Sequence, residues 1–172
     1  MRKKSPSFEE AINAASLWCT AWEQDELSDE VLADRVSELL ETRNGSRGFF
    51  AFSLSSNSPL MDRLPDALIF RLREAGEIVV DLTAKNLAMS TAMTLHHQRN
   101  KKPNQQAASE NIQRRCIELL RLLEPHSVKE RLESLLEATK GKGKDLDFLS
   151  RWNYDEAQKR EIAKAINSIP EN

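Results

Sequence analysis

The chain has 172 residues, 40% of them apolar and 30% charged, with a formal net charge of -2. That is enough chain to bury a core without disulfide or metal staples, and the near-neutral total gives no general attraction to polyanions. No apolar run approaches the roughly 20 residues that a bilayer crossing needs, so the sequence excludes a membrane-spanning helix.

The opening MRKKSPSFEEA is basic with no apolar stretch behind it. It lacks the core of a secretory signal, and the expected location is the cytoplasm. Ser7-Phe8-Glu9-Glu10 reads as a capping box starting the first helix, with Phe8, Ile12, Ala15, Cys19 and Trp22 inward. Ser28, followed by Asp29 and Glu30, opens a second helix whose stripe is Val31, Leu32, Val36, Leu39 and Leu40, and Asn44-Gly45 reads as its end. Residues 45–61, GSRGFFAFSLSSNSPLM, then read as an irregular Gly/Phe/Ser-rich insert. Its Phe49, Phe50 and Phe52 form an apolar plug, because a lone strand has no partner.

A third helix runs from about Leu64-Pro65 to Gly76, with proline at its start and glycine just past its end. The next, 77–97, is apolar or small on every side, which predicts a central position in a bundle. Its serines and threonines can bond to their own helix's carbonyls. Pro103-Asn104 precedes a helix from about 105 to 124, and Ser127-Val128-Lys129-Glu130 reads as the capping box of another. The Lys/Gly alternation of 140–144 reads as a flexible connector. It leads to a C-terminal hairpin with a capping box at Asn153-Tyr154-Asp155-Glu156. The expected fold is therefore all-α, a single-domain bundle of about seven helices. Residues 1–139 make the main bundle, and 145–172 a hairpin that docks on it through Phe148, Leu149, Trp152 and Tyr154 or else reaches a partner.

Charge is unevenly spread. Residues 1–42 carry four basic and ten acidic groups, net -6, and residues 83–121 carry seven basic and two acidic, net +5. Such segments can face each other within a molecule or across a dimer, where complementary fields favour encounter and register.

No catalytic signature is assembled. Cys19 and Cys116 fall in helical patterns without CxxC spacing and read as core residues of a reducing compartment. Adjacent His96 and His97 point roughly 100 degrees apart on a helix, and no HExxH occurs, so no metal or other cofactor is expected. There is no GxSxG and no phosphate-binding loop.

Three functional readings follow, in order. The first is a non-catalytic interaction or regulatory protein that binds another protein or itself, with a homodimer as the simplest assembly. The second is a small-molecule site for an anionic ligand beside helix 77–97, built from Arg47, Asp81, Lys85, Asn86 and Ser90. The third is nucleic-acid binding by a basic patch of His96, His97, Arg99, Lys101, Lys102, Arg114 and Arg115. That segment lacks a stacking aromatic, since none occurs between Phe70 and Phe148. The patch is more simply read as cations favouring a helix C-terminus.

Overall fold

Ser7 starts the first helix, α1 (Phe8–Glu23), through a reciprocal cap. Its Oγ accepts the Glu10 N–H at 3.1 Å, and the Glu10 carboxylate accepts the Ser7 N–H at 3.0 Å. Ser28 likewise caps α2 (Asp29–Leu39), with Asp29 and Glu30 at the positive end of the dipole. The computed structural model describes residues 5–170; the basic start at 1–4 lies outside the described residues. Every regular element among them is helical. The remaining elements are α3 (Arg43–Ser55), a 3-10 turn at Leu60–Asp62, α4 (Asp66–Ala75), α5 (Glu77–Arg99), α6 (Pro103–Leu122), α7 (Pro125–Thr139), α8 (Leu146–Arg151) and α9 (Glu156–Ser168). No helix is long and apolar enough to cross a membrane among the described residues.

Nine α-helices lie among the described residues against the expected seven or so, and one that was not expected, α3, covers most of 45–61. Residues 45–55 are helix, not an irregular insert. Asn44-Gly45 does not end α2; it belongs to the first turn of α3, where Thr42 Oγ1 accepts the Gly45 N–H at 3.0 Å. The glycines serve proximity instead of chain breaking. A Cβ on Gly45 would lie 2.1 Å from the Leu39 carbonyl oxygen, and one on Gly48 would lie 2.4 Å from Ala11 Cβ and 2.8 Å from the Phe8 carbonyl oxygen. Gly48 therefore lets α3 press against α1 more closely than any side chain permits. Phe49 and Phe50 are buried in this helix, their rings edge to face with centroids 5.1 Å apart.

Two further starts differ from expectation. Glu124, not Ser127, caps α7: its carboxylate accepts the N–H groups of His126 and Ser127 at 2.9 and 2.7 Å. Those two amides hold the Glu124 carboxyl below its ordinary range. Asp155, not Asn153, caps α9, in a box with Gln158.

Contacts divide the chain into two compact units that meet between Leu82 and Thr83, within α5. In the first unit α3 packs on α1 and α4 on α2; in the second, α8 and α9 both pack on α7. Along α5, Val79, Val80, Leu82, Thr83, Ala84, Leu87, Ala88, Ser90, Thr91 and Ala92 are buried. The partly open positions Asp81, Lys85 and Met89 and the exposed Met93 fall four apart, on one stripe. The hydroxyls turn inward on the helix itself, Ser90 Oγ donating to the Leu87 carbonyl at 3.1 Å and Thr94 Oγ1 to the Ser90 carbonyl at 2.8 Å. Burial pushes the Cys19 thiol up to about 12 and raises that of Cys116 as well, so both stay protonated core groups.

Replacing an exposed helical glycine by alanine ordinarily stabilises by up to about 1 kcal/mol. Gly48→Ala is expected to do the opposite here, costing about 1 to 3 kcal/mol as α1 and α3 are forced apart. Adding Ala11→Gly should recover only part of the loss, because the Phe8 carbonyl remains in the way. Urea unfolding of the three variants measures both effects.

Candidate functional site

The second unit contains an apolar groove of about 670 Å³ between the end of α6, α7 and the end of α9. Val128, Leu132 and Leu136 of α7 recur every fourth residue along its floor, Leu120 and Leu123 come from the end of α6, and Ile166 and Ile169 close the far wall. Lys129 and Glu133 stand exposed at the rim, one turn apart on α7. Of the apolar residues on α7, Leu136 is the half-buried one, while Val128 and Leu132 are buried.

Polar contacts hold the walls in place. At the groove, Arg121 donates to the carbonyls of Ser168 at 3.0 Å and Ile169 at 3.2 Å, satisfying groups that the C-terminus of α9 leaves open. At the other end of α9, Arg99 donates to both carboxylate oxygens of Asp155 at 2.5 and 3.4 Å. The neighbouring Gln158 sends its Nε2 to the Ala92 carbonyl of α5 at 3.2 Å, a buried bond. The Arg99 guanidinium, helped by the Gln158 N–H, holds the Asp155 carboxyl below its ordinary range. Between α7 and α8, Arg131 Nη1 and Ser134 Oγ both donate to Asp145 Oδ2, at 2.5 and 2.7 Å, in a largely buried cluster.

Gly141, at φ +84, closes α7 within the Lys/Gly-rich stretch. Its N–H donates to Ala138 and that of Lys142 to Glu137, the paired bonds of a helix C-terminal glycine motif.

The residues singled out from sequence are dispersed. Arg47 is exposed on the first unit, its guanidinium 5.0 Å from the Phe8 ring centroid and 3.5 Å from Asn44 Oδ1. The α3 arginine that meets Asp81 is instead Arg43, at 3.5 Å. On the second unit Lys85 Nζ lies 5.8 Å from the Phe148 ring centroid, Asn86 is half-buried, and Ser90 is buried on its own helix's carbonyl. In the basic segment, His96 is exposed and packs edge to face on His97 at 5.5 Å, while Arg99 is taken by Asp155. Lys101 and Lys102 are exposed at the turn before α6. Arg114 is exposed and bonded to Asn111 and Glu118, whereas Arg115 is only 3% exposed. Among the described residues no three His, Cys, Asp or Glu side chains gather where they could hold a metal ion.

Sequence reasoning missed Arg121, Arg131, Asp145 and Gln158, each of which makes a tie between elements. Only Gln158 carried a local signal, sitting three residues after Asp155 as a capping-box partner.

The chain matches, over residues 7–169, the family described as Uncharacterised conserved protein UCP020893, and it belongs to that family. No curated protein and no solved structure matches it.

Two consequences are measurable. Because the folded Asp155 carboxyl titrates below its unfolded value, its contribution to stability is complete above the unfolded pKa of about 3.9 and is lost as pH falls through the lower folded value. Asp155→Asn should therefore flatten the acid limb of a stability-versus-pH curve. Arg131→Met is expected to cost about 3 to 5 kcal/mol by stranding the Asp145 carboxylate, and Arg131→Met with Asp145→Leu considerably less, by denaturant unfolding.

Proposed function

We propose that this member of the family is a non-catalytic interaction protein of the cytoplasm, holding another protein or a second copy of itself through its helical surfaces. The observation that carries the reading is the apolar groove of the second unit, whose floor is three α7 side chains at a four-residue spacing. Its occupant is an amphipathic helix of a partner protein. Apolar side chains at positions i, i+4 and i+7 of that helix would seat against Leu132, Leu136 and Ile166. An acidic residue toward Lys129 and a basic one toward Glu133 would fix its direction.

Leu136, the half-buried member of the α7 row, is the point at which the groove can be blocked with least damage to the core. A designed helical peptide with this pattern is expected to shift the amide resonances of 128–136 and 166–169, and to bind at least about tenfold more weakly to Leu136→Glu, a loss of about 1.4 kcal/mol. Circular dichroism of the variant should be unchanged. Reversing the peptide's flanking charges should weaken binding in wild type. Binding that ignores both Leu136→Glu and the charge order would contradict the groove as the site.

A further inference from the structure

The first unit carries a second concavity, of about 740 Å³, where the end of α1 meets the start of α2 and the segment before α4. Trp22 and Leu27 supply apolar surface, and Trp22 Nε1 donates to Asp29 Oδ1 at 2.8 Å, which fixes the indole against the wall. Around it stand Glu23, Asp25, Asp29 and Glu30, with Arg63 as the one cation of the lining. All four carboxylates are exposed. Among the described residues none of Glu23, Asp25 and Glu30 makes an ion pair. Such a mouth takes a small convex element that brings positive charge and some apolar surface.

The same chain owns such an element. Between α5 and α6 the backbone reverses at Lys101, whose φ is +56, and re-enters helix at Pro103. The tip of this tight turn is Asn100-Lys101-Lys102-Pro103, all exposed. Neither lysine makes an ion pair among the described residues, while the neighbouring Arg99 is already held by Asp155.

We infer that the chain self-associates by seating the Lys101-Lys102 turn of one copy in the acidic, tryptophan-walled mouth of a second copy. Unpaired charges of opposite sign stand on two surfaces of one chain, one of them concave and the other a protruding turn. Asp29 stays on the indole, and Glu23, Asp25 and Glu30 receive the two ammonium groups. The inference rests on the reading of the chain as an interaction protein, but it uses none of the groove residues.

The test is a charge exchange between copies, read by sedimentation velocity over a protein concentration series at low and moderate salt. Wild type is expected to associate, and to do so more weakly as salt rises. Lys101→Glu with Lys102→Glu, and separately Glu23→Lys with Glu30→Lys, should each weaken association at least about tenfold through like-charge repulsion. Mixing the two double variants in equal amounts restores attraction at both contacts and should return the sedimentation coefficient of the wild-type assembly. All four substituted side chains are exposed, so each variant is expected to fold, which thermal melts check. A wild-type chain that stays monomeric at low salt overturns the inference. So does an assembly indifferent to salt and to either reversal, or a mixture that fails to reassociate. None of these results bears on peptide binding in the α6–α7–α9 groove, so a failure here is distinguishable from a failure of that site.

Discussion

A helix without a polar face cannot stand at the surface. From Val79 to Ala92 only the row Asp81, Lys85 and Met89, with Asn86 beside it, keeps any access to solvent, and the other residues are buried. An amphipathic helix needs one apolar neighbour, whereas α5 needs cover over most of its circumference. The first compact unit ends inside this helix and the second begins there, so both include part of it. Small residues, Thr83, Ala84, Ala88, Ser90, Thr91 and Ala92, make that cover possible at close range, and the Ser90 and Thr94 hydroxyls satisfy themselves on their own backbone.

With the apolar surface of α5 occupied, the polar groups left over become fasteners. Arg99 at its end and the Ala92 carbonyl in its body both receive the start of α9, through Asp155 and Gln158. Arg121 holds the other end of the same helix. These ties fix the wall against which the α7 row Val128, Leu132 and Leu136 faces, and the groove is the space left between them. Single exposed ion pairs are worth little by themselves. Here they act at helix ends, where open carbonyls and amides otherwise lack partners, and so they decide where α9 lies.

Much of this was legible in the sequence. The 3.6-residue periodicity gave the all-helical class, the capping box at Ser7 and the cap at Ser28 placed two helix starts, and the apolar or small character of 77–97 on every side marked the buried helix. The errors share one cause, that local rules cannot see a neighbour. Gly45 and Gly48 look like breakers until Leu39, Phe8 and Ala11 stand within contact distance. Ser127 looks like a cap until Glu124 reaches its amide first. Arg115 looks like part of a basic patch, yet it lies on the covered side of α6 while Arg114, one residue earlier, is exposed. The groove was invisible for the same reason, since its walls come from residues as far apart as Leu120 and Ile169, and no window on the sequence contains both. The acidic mouth was half legible, as an excess of carboxylates before residue 42 with no hint that Trp22 backs it.

A helix covered over most of its circumference should be the most protected part of the molecule, and native-state amide hydrogen exchange measures that protection residue by residue. Amides from Val79 to Ala92 are expected to be among the slowest to exchange, opening only with global unfolding. Exchange there as fast as in the exposed turn at Lys101-Lys102 would contradict it, and with it the arrangement of walls and ties that the groove depends on.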